Sequence, residues 1–183
     1  MKRTFELVVF DWDGTLMDSE SRIVTCMQRA ASQVGVAVPD NAAARDVIGL
    51  GLIEAVQRLF PVADAPAVAA LVDAYRAHWL GDEVVPAPMF AGAGEMIERL
   101  FDAGVLLAVA TGKSRRGLDK ALEESGLGRF FHATRCADEA FSKPHPQMLQ
   151  DILTDLDTTP GRAVMVGDTE YDMQMARNAG VSA

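Results

Sequence analysis

The sequence predicts an α/β fold in which a parallel sheet carries a separate helical unit. Continuous apolar runs at residues 7–10, 105–110 and 163–166 are typical of strands buried in a sheet. From about residue 89 onward such runs alternate with helical patterns, as in a parallel sheet with right-handed crossovers. Between about residues 18 and 88 there is no convincing strand pattern, so this segment is predicted to be a helical insertion.

The inserted segment is predicted to form several helices. Apolar residues recur at helical intervals within 19–32, 52–60 and 66–80. Pro39-Asp40-Asn41 indicates a break and a restart, with Asp40 or Asn41 able to cap the next helix.

The remaining elements follow the alternation of the sheet region. They are a helix over 94–102 that ends at Gly104, a helix through 118–122 that closes at Gly126, a weaker strand over 130–134 and a helix over 147–156. The alternation then calls for a fifth strand at Gly180-Val181-Ser182-Ala183.

Composition narrows the class of protein. A chain of 183 residues suits one domain, or one domain with an insertion, and no apolar run approaches the roughly 20 residues that span a bilayer. The N-terminus has no signal-peptide pattern. The formal net charge of −9, with scattered basic residues, argues against nucleic-acid binding. Cys26 and Cys136 have no metal-ligand spacing, so a cytoplasmic protein with reduced thiols is expected.

Two aspartates directly follow the first predicted strand. Side chains two positions apart on an extended segment point the same way, so Asp11 and Asp13 could serve one reaction centre or one hard cation. Gly14 permits a sharp turn after them. Taken alone, the pattern also suits an ordinary turn.

Polar residues also accompany the other strands. They are Thr111-Gly112-Lys113-Ser114 after the second strand, Ser142-Lys143-Pro144 before the third crossover helix, and Gly167 to Asp172 after the fourth strand. Ligands bind at the carboxyl ends of the strands in open parallel sheets, so these segments are expected to converge. In so acidic a chain an anionic substrate would need local devices: a metal, one or two lysines and backbone N–H groups.

In this order the segments resemble the four motifs of the haloacid dehalogenase superfamily of hydrolases. The motifs are Asp11-Trp12-Asp13-Gly14-Thr15-Leu16, Thr111-Gly112, Lys143-Pro144, and Gly167-Asp168 through Asp172. Within the superfamily the chain is most similar to the phosphoglycolate phosphatase group, through residues 11–19 and 47–51. The resemblance implies a Rossmann-like core domain, residues 1–17 and 89–183, and an inserted α-helical cap domain, residues 18–88.

The resemblance also implies a phosphoryl-transfer mechanism. Asp11 would be the nucleophile that forms an aspartyl-phosphate, and Asp13 the general acid and base. Mg²⁺ would be held by Asp11, the backbone carbonyl of Asp13 and Asp168, with Asp172 supporting these ligands.

Three further residues would hold the phosphoryl oxygens: Thr111, the N–H of Gly112 and Lys143. Asp13 favours a phosphate ester as substrate, because dehalogenating relatives lack a carboxylate there. Phosphonate-cleaving relatives use a cap lysine, and residues 18–88 contain none.

The sequence therefore predicts a Mg²⁺-dependent phosphomonoesterase for a small phosphorylated metabolite, with 2-phosphoglycolate the best guess. A phosphoglucomutase-like phosphotransferase and a catalytically idle binding protein are the alternatives. No membrane partner is expected, and the protein would be a monomer or a homodimer.

Two features remain open at this level. Asp18-Ser19 can contact the site or simply cap a helix. Gly49-Leu50-Gly51 and Arg45 can face the substrate or belong to an ordinary helix–helix turn.

Overall fold

A computed structural model describes residues 5–81 and 85–183. Its centre is a four-stranded parallel sheet in the order β3-β2-β1-β4. The strands are β1 (Leu7–Phe10), β2 (Leu106–Thr111), β3 (Ala133–Cys136) and β4 (Ala163–Val166). Because β1 lies between β2 and β4, the residues that follow it emerge in the middle of the carboxyl edge of the sheet. The predicted α/β class is confirmed.

Alternate residues of the strands enter two apolar clusters, one on each face of the sheet. Leu7 and Val9 of β1 pack in a cluster with residues of α7 (Gln147–Asp155) and α8 (Glu170–Ala179). Phe10 packs on the other face, in a cluster with residues of α5 (Ala93–Asp102) and α6 (Arg115–Ser125). The sheet is thus buried on both sides, as continuous apolar runs indicate.

The third strand lies further along the chain than predicted. The range 130–134 is wrong, because Gly128–Phe130 is a short 3-10 helix and β3 begins at Ala133. Phe130 is buried and packs edge-on against Phe101 of α5, with ring centroids 5.3 Å apart. Phe130 is therefore not a strand residue; its ring packs against a residue of α5. β2 also begins one residue later than predicted.

The chain returns to the sheet edge after α8. Ser182 forms a parallel bridge with Val164, and its carbonyl accepts a hydrogen bond of 2.8 Å from the N–H of Met165. These residues lie beside β4, where the alternation calls for a fifth strand.

In the described part of the predicted insertion four helices precede α5: α1 (Glu20–Val34), α2 (Asn41–Asp46), α3 (Leu52–Leu59) and α4 (Ala65–Leu80). Within the described part of residues 18–88 the chain forms no regular strand, as predicted. Asp40 caps α2 by accepting a hydrogen bond from the N–H of Ala43, which confirms the predicted restart. We call α1–α4 and their loops the cap; its domain boundaries remain a prediction.

The cap has its own apolar cluster, which includes Met27 of α1, Val56 of α3 and Leu71 of α4. The most extensive packing between helices of the cap is between α1 and α4. Among the described helices of the whole chain, none combines the length and apolar character needed to cross a membrane.

Candidate active site

The end of β1 places Asp11 in the interior of the protein. Asp11 is 1% exposed, and its Oδ2 atom has no hydrogen-bond partner among the described residues. Gly14, with a φ of +80°, turns the chain immediately afterwards. A Cβ atom at Gly14 would lie 2.2 Å from Oδ2 of Asp168, so the turn needs glycine for both conformation and space.

A buried lysine joins two of the predicted site aspartates. Nζ of Lys143 lies 2.7 Å from Oδ1 of Asp11 and 2.7 Å from Oδ1 of Asp172. All three side chains are almost completely buried. Burial raises the pKa of Asp11 to about 7, although Lys143 acts to lower it. The pKa of Lys143 is raised because the two carboxylates outweigh the effect of its burial.

The fourth motif forms the first turn of α8. Asp172 accepts hydrogen bonds at Oδ2 from the Thr169 N–H (3.1 Å) and hydroxyl (2.7 Å), in a capping box that fixes its side chain. Asp168 is solvent-exposed at the mouth of the site, and its Oδ1 accepts a hydrogen bond of 3.1 Å from Thr15. Partial desolvation raises the pKa of Asp168.

Three carboxylates come close enough to share one cation. One oxygen atom each from Asp11, Asp168 and Asp172 lie within 4.8 Å of one another. Hard oxygen ligands suit Mg²⁺, and the unpartnered Oδ2 of Asp11 is available to such an ion. The described residues therefore fit a magnesium site. The carboxylate of Asp13 is held elsewhere, which suits the predicted use of its backbone carbonyl; the division of ligands remains a prediction.

Thr111 and Gly112 lie where β2 ends. Thr111 is fully buried, and its hydroxyl accepts a hydrogen bond of 3.2 Å from the N–H of Lys113. A Cβ atom at Gly112 would lie 2.3 Å from the carbonyl oxygen of Leu50 in the cap. The second motif is therefore directly beneath the loop between α2 and α3.

Asp13 is held by residues from two other segments. The hydroxyl of Ser19 donates a hydrogen bond of 2.7 Å to Oδ1, and Nζ of Lys113 lies 3.0 Å from Oδ2. Ser19 makes no side-chain capping bond to α1, so its hydroxyl serves the site rather than the helix. Asp18 is exposed.

The loop Gly49-Leu50-Gly51 closes over the core. The N–H of Gly51 donates a hydrogen bond of 2.8 Å to the hydroxyl of Ser142, next to Lys143. A second link is the Tyr171 hydroxyl, which donates a bond of 2.8 Å to the carbonyl of Asp46. The loop thus borders the site.

Arg45, by contrast, is not in contact with the predicted site aspartates. Its side chain is 56% exposed and pairs with Glu20 at 2.6 Å. Neither residue is among the partners of the core aspartates.

Sequence reasoning assigned no function to Lys113 or Ser142. Lys113 directly follows the second motif and Ser142 directly precedes Lys143. This proximity to the motifs is the one sequence feature that indicates a role for them at the site. Their partners, Asp13 and the cap loop, are distant in sequence, so only the folded chain reveals the contacts.

Comparisons with known proteins agree with this geometry. Residues 8–183 match the family described as haloacid dehalogenase-like hydrolase. The probable phosphatase IndB of Dickeya dadantii (strain 3937) is 37% identical over 182 residues, covering 97% of this chain and 79% of that protein. The phosphoglycolate phosphatase of Agrobacterium fabrum (strain C58) is 33% identical over 184 residues, covering 96% of this chain and 77% of that protein.

A solved structure shows the same fold. The crystal structure of a predicted phosphoglycolate phosphatase from Haemophilus somnus 129PT has a TM-score of 0.88 and 21% sequence identity. The alignment covers 99% of this chain and 84% of that one. The chain belongs to the haloacid dehalogenase-like hydrolase family, in the group that resembles the phosphoglycolate phosphatases.

Proposed function

We propose that this phosphatase hydrolyses a small phosphate monoester, with Mg²⁺, through a phosphorylated aspartate. The observation that carries the proposal is the difference between the two aspartates after β1. Asp11 is buried within the cluster of carboxylates that fits a cation, whereas Asp13 lies outside that cluster with its own partners. Two carboxylates in such different surroundings suit two different roles.

In the first step Asp11 is the nucleophile. A carboxylate oxygen of Asp11 forms a bond to phosphorus while the bond from phosphorus to the leaving oxygen breaks. The electron pair of that bond stays on the leaving oxygen, which takes a proton from the carboxyl group of Asp13. The products are an alcohol and the aspartyl-phosphate.

In the second step water releases the phosphate. The carboxylate of Asp13 takes a proton from water as its oxygen attacks phosphorus, and the bond from phosphorus to Asp11 breaks. Inorganic phosphate leaves and both aspartates regain their starting states. One water molecule is consumed for each ester hydrolysed.

Mg²⁺ would be held by Asp11, Asp168 and the backbone carbonyl of Asp13, with Asp172 fixed behind them. When bound, it offsets the negative charge that the phosphate brings to this cluster. Lys143, Thr111 and the N–H of Gly112 would hold the phosphoryl oxygens. Lys143 suits this role because it places a positive charge between two buried carboxylates.

The best single candidate substrate is 2-phosphoglycolate. Support comes from the Agrobacterium fabrum relative, whose name is phosphoglycolate phosphatase. The cap loop lies directly against the second motif, since a Cβ atom at Gly112 would lie 2.3 Å from the Leu50 carbonyl oxygen, so cap residues can contribute to substrate selection. We further propose that residues 18–88 are the cap domain and that the protein acts in the cytoplasm.

The test is phosphate release from a panel of phosphorylated metabolites that includes 2-phosphoglycolate, with Mg²⁺ and with EDTA. Asp11→Asn, which keeps the size of the side chain, is the matched variant. We expect release only with Mg²⁺, fastest with 2-phosphoglycolate, and none above background for the variant. Transfer of phosphate to a sugar phosphate without net release would instead support a phosphotransferase. No turnover of any kind by folded protein would support a binding protein.

A further inference from the structure

The carboxylate of Asp13 has a dedicated partner at each oxygen. Ser19 donates to Oδ1 at 2.7 Å, and the ammonium group of Lys113 lies 3.0 Å from Oδ2. The side chains of Lys113 and Asp13 are only 12% and 14% exposed, so solvent weakens this ion pair less than it would at the surface. Two contacts to two oxygens fix the plane of the carboxyl group.

Lys113 also contacts the cap. Its Nζ atom lies 4.6 Å from the ring centroid of Trp79, near the end of α4, in cation–π geometry. The same ring stacks on Tyr75 one turn earlier, with centroids 6.0 Å apart. The ammonium group therefore has an anionic partner in the core and an aromatic partner in the cap.

Trp79 is itself held within the cap. The guanidinium carbon of Arg22 lies 4.1 Å from the centroid of its ring, and the guanidinium donates a hydrogen bond of 2.6 Å to its backbone carbonyl. Arg22 belongs to α1, so two cap helices fix the indole that faces Lys113. The position of the ring thus depends on the position of the whole cap.

We propose that Lys113 is a positioning residue for Asp13 and that Trp79 holds Lys113 in place when the cap is closed. This inference rests on the proposed function, in which Asp13 gives a proton to the leaving oxygen and later takes one from water. Lys143 holds the nucleophile, and Lys113 has the corresponding role for the acid and base. Correct orientation of Asp13 then requires the closed cap.

The physical basis is the flexibility of lysine. Four rotatable bonds let a free lysine side chain sample many positions, and a second contact restricts them. An ammonium group fixed by an indole donates to Oδ2 in one direction only. Lys113 also stabilises the carboxylate that Asp13 becomes when its proton passes to the leaving oxygen.

The test compares esters that differ in their need for a general acid. An alkyl phosphate such as 2-phosphoglycolate needs a proton on its leaving oxygen, whereas p-nitrophenyl phosphate has a leaving group that departs readily without one. The variants are Lys113→Met, Lys113→Arg, which keeps the charge, and Trp79→Leu. Lys120→Met is the matched control, because Lys120 is exposed and pairs only with Glu124 among the described residues.

For Lys113→Met we expect kcat on the alkyl ester to fall about 10- to 100-fold, part of the 10²- to 10⁴-fold that general acids supply. The fall on p-nitrophenyl phosphate should be several times smaller, with KM for both esters nearly constant. Lys113→Arg should retain part of the activity that Lys113→Met loses. Trp79→Leu should also lower kcat more on the alkyl ester than on p-nitrophenyl phosphate, but by a smaller factor than Lys113→Met. Lys120→Met should match the wild type.

Equal losses on both esters, or no loss on either, would overturn the positioning role of Lys113. If Trp79→Leu changed kcat by the same factor on both esters, the proposed role of Trp79 in holding Lys113 would be overturned. Wild-type protein that releases phosphate from neither of these esters, nor from any other ester of the metabolite panel, would overturn the proposed function, and this inference with it. Circular dichroism of each variant separates misfolding from a specific effect, and Lys113→Arg keeps the test available if Lys113→Met fails to fold.

Discussion

The core buries its sheet between two extensive apolar clusters, whereas the cap relies on one smaller cluster shared by α1, α3 and α4. The core supplies the buried charges, Asp11, Lys143 and Asp172. The cap contributes a backbone carbonyl at Leu50, an aromatic ring at Trp79 and hydrogen bonds across the boundary. The charged groups to which we assign catalytic roles thus belong to the more thoroughly packed region. The more lightly packed region covers them, and from its smaller apolar cluster we expect it to open at a lower free-energy cost.

Two ion pairs of nearly equal length make this contrast measurable. Lys143 and Asp11 are 2.7 Å apart with both side chains buried, and Arg45 and Glu20 in the cap are 2.6 Å apart with both about half exposed. Removing one partner of a buried ion pair leaves the other charge buried without a counter-charge or water, which is strongly destabilising. When one partner of an exposed pair is removed, water solvates the remaining charge and the loss of stability is small.

The largest effect is therefore expected for Lys143→Met. It should lower the free energy of unfolding by about 3–5 kcal/mol and turnover by at least about 100-fold. Arg45→Met should change stability by less than about 1 kcal/mol. Urea unfolding and phosphate release measure both.

The double variant Lys143→Met with Asp11→Asn is the control for this prediction. It removes one of the stranded carboxylates and should be more stable than Lys143→Met alone. Equal destabilisation by Lys143→Met and Arg45→Met would contradict the contrast between core and cap.

Gly112→Ala should distinguish the effect of cap closure on activity from any effect on folding stability. Its added methyl group would collide with the Leu50 carbonyl, at 2.3 Å, only when the cap is closed. We expect kcat/KM to fall about 10- to 100-fold, as for a misplacement on the order of 1 Å, with little change in the free energy of unfolding.

Gly161→Ala is the matched control for that variant, because a methyl group at Gly161 meets no atom of the described residues within 4 Å. Normal kcat/KM in Gly112→Ala would show that the close contact between Leu50 and Gly112 is not needed for turnover.

Tyr171→Phe should have a smaller effect. It removes the hydrogen bond from Tyr171 to the carbonyl of Asp46 but keeps the ring beside Arg58. A neutral hydrogen bond contributes about 0.5–1.5 kcal/mol, so the closed population and kcat/KM should fall about 2- to 10-fold. Steady-state kinetics with the preferred ester measure the change, and a loss of global stability of the same size would instead assign the bond to folding.

Each of the two regions contains one cysteine, so thiol labelling can compare how readily the cap and the core open without any substitution. Cys26 lies in α1 of the cap and Cys136 in β3 of the core, and both are buried. Burial raises the pKa of both thiols, that of Cys136 to about 12. Both should therefore react slowly with Ellman's reagent at pH 8, with Cys26 the faster because the cap opens more readily.

The raised thiol pKa also sets the direction of a pH dependence. The folded protein keeps the Cys136 thiol protonated at pH values where the same thiol ionises in the unfolded chain. The free energy of unfolding should therefore fall as pH rises from about 9 toward 12.

In the labelling experiment with Ellman's reagent, the variants Cys26→Ala and Cys136→Ala assign each reaction to its thiol. Faster labelling of Cys136 than of Cys26 would reverse the order of stability proposed for the two regions.

The main parts of the fold were predictable because its signals are local. Apolar runs mark β1 and β4, and the polar residues after them follow from the topology of a parallel sheet. The start of β3 was not predictable, since an aromatic residue at 130 suits a strand or a helix-facing contact equally well. Only packing against Phe101 decides between them.

The site shows the same division. The sequence motifs place Asp11, Lys143 and Asp172 together, and the structure brings them into contact. The hydroxyl of Ser19 could bond either to the first turn of α1 or to Asp13, and local sequence does not distinguish these choices. The contact of Lys113 with Trp79 depends on how the cap lies on the core, which no motif encodes.

The most direct test is to trap the phosphorylated enzyme. Protein mixed with Mg²⁺ and the preferred ester is quenched in acid during turnover and treated with borohydride, which reduces an acyl phosphate to an alcohol. Peptide mass spectrometry should then find homoserine in place of Asp11, and not in samples quenched without substrate or in Asp11→Asn. Modification at Asp13 instead, or unmodified Asp11 in enzyme that is turning over, would contradict the assignment of Asp11 as the nucleophile.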